Sequence, residues 1–264
     1  MKHGTIGNID YISFGSGSKN LVLLPGLGDS LRSIQDTAVP MSVAYRSFSR
    51  EYTIYVIGRR HNLPDGSGTR DMAKDIAAAL EQLEVYKADV MGISMGGMIA
   101  QWIAIDHPAL VNRLVLVATS AEPNPVLTEA LNEWMDYARR NDHTAFWDSN
   151  FRRIYTEEYY EKYKKLIPVM ELVIHDQEYD RFFVHAHACF EHCAAPYLHQ
   201  ITVPTLVIGG ERDAALGGEA SRKIAAAIPN AGLHMYEEYG HGLYEEAKDF
   251  QRLVLDFLTA SADA

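Results

Sequence analysis

The most constraining stretch of the chain is Ala88-Asp89-Val90-Met91-Gly92-Ile93-Ser94-Met95-Gly96-Gly97-Met98-Ile99-Ala100. An apolar run ends in Gly-Ile-Ser-Met-Gly, and a helix-forming run follows with no linker between them. A strand can reverse into a helix that tightly only if the residues flanking the serine are small, so Gly92 and Gly96 read as steric relief. The turn exposes the Ser94 hydroxyl above the end of a sheet, beside helix N-terminal N–H groups that can hold an anion. A serine hydroxyl is a weak nucleophile at its ordinary pKa. It needs a base within hydrogen-bond reach, and that base needs an orienting acid.

Other continuous apolar runs lie at Leu21–Leu24, Thr53–Ile57, Leu114–Ala118 and Val203–Ile208. Helical patterns separate them. Met72, Ile76, Ala79, Leu80 and Leu83 recur at helical spacing over Arg70–Leu83, behind Thr69 as N-cap. Met95–Asp106 is apolar nearly all round, as in a helix buried mid-domain. Gly218–Ala227 and Leu243–Leu258 read as helices, Met41–Ser49 as a short one, and Leu233–Glu237 as the last strand. Ile9–Phe14 alternates and reads as an edge strand. Apolar strands alternating with helices specify an α/β fold, with a mostly parallel central sheet covered by helices on both faces.

That rhythm stops after Glu122-Pro123-Asn124-Pro125 and resumes at Val203. The intervening residues are helical, aromatic and charged. The chain therefore divides into a core of residues 1–124 and 201–264, with residues 125–200 inserted as a helical cap after the strand ending at Ala118. A length of 264 residues suits one large domain with such an insertion.

The bulk composition excludes several classes of function. A net charge of −11 opposes binding to nucleic acid and to anionic membranes. No stretch approaches ~18 uninterrupted apolar residues, and the N-terminus shows no secretory apolar segment. The two cysteines, Cys189 and Cys193, are too few and too close for a disulfide framework. The expectation is a cytoplasmic protein that works on a small molecule.

Catalytic groups in open α/β sheets gather past the carboxyl ends of strands. Among eleven histidines, His241 in Glu238-Tyr239-Gly240-His241-Gly242 fits that rule best as the base, just past the last strand. For the acid, Gly209-Gly210-Glu211-Arg212-Asp213 follows another strand and offers both Glu211 and Asp213. The shorter Asp213 is easier to fix in place, and Glu122 is a fallback. The order Ser94, Asp213, His241 is that of a nucleophile-elbow hydrolase.

With these residues in place, the chain resembles the α/β-hydrolase superfamily, in particular its esterase, lactonase and cofactor-free haloperoxidase-like group. The matching strings are Leu23-Leu24-Pro25-Gly26-Leu27-Gly28, Gly92-Ile93-Ser94-Met95-Gly96-Gly97, Pro204-Thr205-Leu206-Val207-Ile208-Gly209-Gly210-Glu211-Arg212-Asp213 and Gly240-His241. The resemblance implies an α/β-hydrolase fold with Ser94 as nucleophile, His241 as base and Asp213 as acid. It also implies an oxyanion hole from the backbone N–H groups of Leu27 and Met95, no metal or organic cofactor, and a monomer or homodimer. The substrate it implies is a small, fairly apolar carboxylic ester or lactone. C–C bond hydrolysis, acyl transfer and a non-catalytic receptor are the alternatives on the same residues.

Two departures stand out. Pro25 replaces the family's usual histidine before the oxyanion-loop glycine Gly26. Gly58-Arg59-Arg60-His61 replaces its frequent Asp-x-Arg-Gly. Arg59 and Arg60 either pair with loop carboxylates or bind a substrate carboxylate. Trp134, Trp147, Phe182 and Phe183 are the aromatic candidates for the pocket lining, together with Gly26 and Arg59. The run His185-Ala186-His187-Ala188-Cys189-Phe190-Glu191-His192-Cys193 lacks the spacing of a structural zinc site, so no metal is expected.

Overall fold

The computed structural model describes residues 1–168 and 179–260. The expected segment 125–200 and the expected core boundary at 264 run beyond these. Residues 169–178, with His175, and 261–264 lie outside the described residues.

Eight strands form one sheet: β1 (Lys2–Ile6), β2 (Ile9–Gly15), β3 (Lys19–Leu24), β4 (Tyr52–Arg60), β5 (Ala88–Ile93), β6 (Val111–Val117), β7 (Thr205–Gly210) and β8 (Gly232–Tyr236). Their order is β1-β2-β4-β3-β5-β6-β7-β8. The β1–β2 and β2–β4 pairs are antiparallel, and every pair from β4 to β8 is parallel. Helices cover the sheet, and two large apolar clusters pack on it.

The central strands read as unbroken apolar runs because both of their faces are covered. Leu114, Val115, Leu116 and Val117 of β6 have no exposed surface. Each such side chain contributes about 1.5–3 kcal/mol by leaving water. The helix Met95–Asp106 is buried from Met95 through Ala104, so a polar face would have nowhere to go.

Several boundaries differ from the sequence-based expectation. Ile9–Phe14 is not the edge: Lys2–Ile6 pairs outside it, and its polar, half-exposed residues carry no hydrophobic alternation to reveal a strand. Strand β4 runs on to Arg60, where its partner β2 is still paired through Ile9. The helix expected behind Thr69 includes Thr69, and Gly68 is the N-cap with its N–H donated to Asp71 Oδ2 at 3.0 Å. The short helix is Ala38–Ala44, followed by a 3-10 turn at Arg46–Phe48. The final helix divides into Leu243–Glu246 and Phe250–Thr259.

Between β6 and β7 the described residues form the helices Pro125–Arg139, His143–Ile154, Glu157–Tyr163 and Tyr179–Phe190. Their starts are written locally. The side chains of Asn124, Asp142 and Thr156 accept from the backbone N–H of Leu127, Ala145 and Tyr159, and Pro125 fills the first position of its helix. Each such cap contributes ~1 kcal/mol. The helix Tyr179–Phe190 packs on the 3-10 turn Leu27–Leu31 that follows β3. No helix among the described residues is long and apolar enough to cross a membrane.

Candidate active site

Ser94 caps the helix that follows β5, with φ 54° and ψ −121°. A non-glycine residue held at positive φ stores strain of about 1–3 kcal/mol. The neighbourhood over-determines it. The Ser94 N–H donates to the Val117 carbonyl at 2.9 Å, and the Ser94 carbonyl accepts from Gly97 N (2.8 Å), Met98 N (3.2 Å) and the Thr119 hydroxyl (2.7 Å). A Cβ on Gly92 would run into the Gly96 carbonyl, and one on Gly96 into the Leu24 carbonyl. The glycines thus let three backbone segments meet at Ser94. Thr119 follows Ala118, itself at φ 44°, and no sequence pattern marked it out.

Gly26 lies against the serine, where an added Cβ would sit 3.3 Å from Ser94 Cβ and 3.8 Å from its hydroxyl. Leu27 opens the next 3-10 turn and Met95 opens the helix after Ser94. Neither N–H donates a backbone or side-chain hydrogen bond within the described residues. Such first-turn N–H groups are unsatisfied by their own helix and available to an anion.

Asp213 follows β7 and His241 follows β8, so both stand on the same carboxyl edge of the sheet as Ser94. Both are buried, and His241 Nδ1 lies 2.9 Å from Asp213 Oδ2. The other carboxylate oxygen accepts from Ala215 N at 2.9 Å and Leu216 N at 2.8 Å. Burial alone would raise the Asp213 carboxyl, but His241 and these two N–H groups outweigh it and hold the pKa below the usual carboxylate range. A carboxylate can only accept, so the Asp213–His241 contact calls for a proton on His241 Nδ1. Glu211 turns away onto Arg222. Glu122 pairs loosely with Lys223 at 3.7 Å. The His241 loop is itself held by Gly242 N, which donates to the Ile154 carbonyl at 2.6 Å.

Arg59 takes a position that sequence alone left open. Its guanidinium does not face open space. Nη1 donates to the Pro25 carbonyl at 2.8 Å and Nη2 to the Gly26 carbonyl at 2.6 Å, while Nε lies 3.4 Å from Asp29 Oδ2. The two possibilities for this arginine were a loop carboxylate and a substrate carboxylate, and Asp29 takes its charge. Asp29 also explains the missing acid at position 58. A Cβ on Gly58 would lie 3.4 Å from both Asp29 carboxylate oxygens, so the loop after β3 supplies an acid where this strand end lacks one. Asp29 was visible in the sequence only as one more polar residue of a glycine-rich loop. Arg60 lies 3.6 Å from Asp75.

The aromatic candidates separate. Trp134 is buried and donates to Ser149 Oγ at 3.2 Å. Phe182 is buried edge-on against Phe146, their ring centroids 5.2 Å apart. These two build the interior of the helical segment. Trp147 also packs edge-on against Phe146, at 5.5 Å, and its indole N–H is buried without a partner. Phe183 is partly buried against Tyr179 and Phe182. Cys189 is buried, Cys193 is exposed, and His192 bonds Thr69 at 2.8 Å. Among the described residues no three His, Cys, Asp or Glu side chains converge as metal ligands would.

A family model described as Hydrolase_4, serine aminopeptidase S33, matches residues 58–248, most of the chain. The chain belongs to this family of the α/β-hydrolase superfamily. Among curated proteins, it is 26% identical over 249 residues to RutD of Pseudomonas savastanoi, a protein named for carbamate hydrolysis, covering 91% of this chain and 93% of the relative. It is likewise 26% identical over 270 residues to a 2-hydroxy-6-oxononadienedioate/2-hydroxy-6-oxononatrienedioate hydrolase of Cupriavidus pinatubonensis, covering 92% and 88% of the two chains. Among solved structures, the enol-lactonase of Burkholderia xenovorans superposes with a TM-score of 0.81 at 22% identity, covering 98% of this chain and all of that one. At that identity the likeness speaks for the fold of this α/β-hydrolase.

Proposed function

We propose that the protein is a serine hydrolase that cleaves a small, fairly apolar carboxylic ester or lactone through an acyl-enzyme on Ser94. The observation that carries this is the buried His241–Asp213 pair at 2.9 Å, on the same sheet edge as the strained Ser94. His241 Nε2 takes the hydroxyl proton as Ser94 Oγ attacks the carbonyl carbon. The N–H groups of Leu27 and Met95 hold the oxyanion, worth about 2.7–4 kcal/mol per donor in related chemistry. Collapse expels the alkoxide, which receives the proton from His241. A water deprotonated by His241 then attacks the acyl carbon, and the acid leaves with Ser94 regenerated. Asp213 holds the imidazole in the tautomer this needs. In this scheme residues 125–200 form the cap that shapes the acyl pocket. The mechanism calls for no metal or organic cofactor.

The likeness to the oxononadienedioate hydrolase favours a second reading, C–C bond cleavage beside a ketone by the same residues. Nitrophenyl esters of rising acyl length, assayed with wild type and Ser94→Ala beside fluorophosphonate labelling, separate the two. Ser94-dependent turnover and labelling support the esterase. Labelling without ester turnover supports C–C cleavage, and neither would remove both.

A further inference from the structure

A cleft of about 1070 Å³ opens between the helix Tyr179–Phe190 and the loops at residues 30–33 and 61–67. Its wall includes Ser30, Leu31, His61, Arg181, Phe183 and His185. None of Ser94, Asp213 or His241 lines it. Two of its basic groups are unspent. His185 has no exposed surface, and neither ring nitrogen has a hydrogen-bond partner among the described residues. Arg181 donates Nη2 to the Arg59 carbonyl at 3.3 Å, but its Nε is buried without an acceptor among the described residues. No carboxylate of the described residues lies within ion-pair distance of its guanidinium, although Asp65, Asp180 and Glu191 stand on the same cleft wall. His61, by contrast, is paired with Asp10 at 2.9 Å.

Buried donors are normally satisfied, and those left open in a native fold ask for an explanation. Here the explanation is chemical. Burial, with Arg59 and Arg181 nearby, pushes the His185 pKa well below its ordinary value, so the ring is a neutral group with one N–H. A guanidinium edge beside a neutral N–H suits the two oxygens of a carboxylate. Leu31 and Phe183 add apolar wall for the chain that carries it.

A chain of contacts runs from this cleft to Ser94 through the buried Arg59. Arg59 touches the Gly26 carbonyl through its guanidinium, and Gly26 lies against Ser94. The main-chain carbonyl of the same Arg59 accepts from Arg181. One arginine side chain therefore spans the distance from the oxyanion loop to Arg181. We propose that Arg181 and His185 bind a free carboxylate at the end of the substrate remote from the scissile bond, so that the preferred substrates are half-esters or lactones that carry an acid. This rests on the hydrolase function proposed above.

The test compares 4-nitrophenyl hydrogen glutarate with 4-nitrophenyl pentanoate, which differ in the terminal carboxylate. Arg181→Ala is expected to lower kcat/KM on the hydrogen glutarate by roughly 10- to 150-fold, the value of a charged hydrogen bond, mainly through KM. The loss on pentanoate should be much smaller, since the removed substrate contact is to a group it lacks. Arg181→Lys should recover part of the loss, and His185→Leu should show a smaller loss of the same selectivity. Equal losses on both esters would mean a structural role and overturn the proposal. Calorimetric titration with glutarate keeps the result independent of turnover. Glutarate should bind wild type and Ser94→Ala, fail to bind Arg181→Ala, and compete with the pentanoate ester. Binding that persists without Ser94-dependent turnover would remove the hydrolase function and keep the carboxylate site. No glutarate binding to wild type, or inhibition that does not compete with the ester, would overturn the site.

Discussion

Asp213→Asn is expected to lower ester turnover by about 10³- to 10⁴-fold, whereas Glu211→Gln leaves it within about twofold. The reason lies in the tautomer. Asp213 accepts from His241 Nδ1, so the ring's other nitrogen is free to take the Ser94 proton. An amide at 213 can present its NH2 group to Nδ1 instead. The proton then moves to Nε2, and the base is lost with the geometry intact. Glu211 makes its contact with Arg222 and has no share in this pair. The pH dependence of folding follows the same carboxylate. Its pKa is held below the usual range in the folded protein. Its contribution to stability is therefore complete above the ordinary value of about 3.9, and is lost as pH falls through the lower folded value. Asn at 213 removes that dependence. Steady-state rates on one nitrophenyl ester, with acid-unfolding curves for both variants, check both parts. A large loss from Glu211→Gln with a small one from Asp213→Asn would reverse the assignment.

Arg59→Ala is the other substitution with a large expected effect. Arg59 and Asp29 are both buried, and the arginine also satisfies the Pro25 and Gly26 carbonyls of the proposed oxyanion loop. Removing one partner of a buried ion pair costs about 3–5 kcal/mol, because the remaining charge stays out of water without compensation. The catalytic cost comes through the loop. Without the guanidinium, the Pro25–Gly26–Leu27 segment loses what fixes the Leu27 N–H. The upper bound on that loss is the 10²- to 10³-fold cost of removing an oxyanion donor altogether. Arg59→Lys should keep the charge pair while losing one carbonyl, and fall between wild type and alanine. Urea unfolding and kcat/KM measured together test this. A change confined to KM for acidic substrates, with stability untouched, would instead mean that Arg59 binds substrate.

The parts of the site that could be read from sequence are those whose chemistry is local. The Ser94 turn announces itself because Gly92 is required by close approach to Gly96 and Gly97 within the same turn, although Gly96 is required by the distant Leu24 backbone. Asp213 and His241 stand out because each stands in a loop just past a strand, and the sheet order brings those strand ends side by side. What sequence could not give depends on partners far apart in the chain. Arg59 reads first as the partner of a core or loop carboxylate, with substrate binding as the alternative, until the structure sets Asp29 and two carbonyls around it. Thr119 is an ordinary residue after a strand until its hydroxyl meets the Ser94 carbonyl. The edge strand Lys2–Ile6 is legible only through its pairing, since its residues are mostly exposed and carry no apolar face. The aromatic residues of the helical segment resisted assignment for a related reason. Trp134 and Phe182 pack against the neighbouring helix His143–Ile154, and composition cannot distinguish that from facing a pocket.

The central claim is that a covalent acyl group passes through Ser94. Acid-quenching the protein during turnover of 4-nitrophenyl acetate and mapping its peptides by mass tests it most directly. An acetyl group on Ser94 itself, absent from the Ser94→Ala protein along with turnover, is the predicted result. Turnover that survives Ser94→Ala, or an acetyl group found only on another side chain such as Cys193, would contradict it.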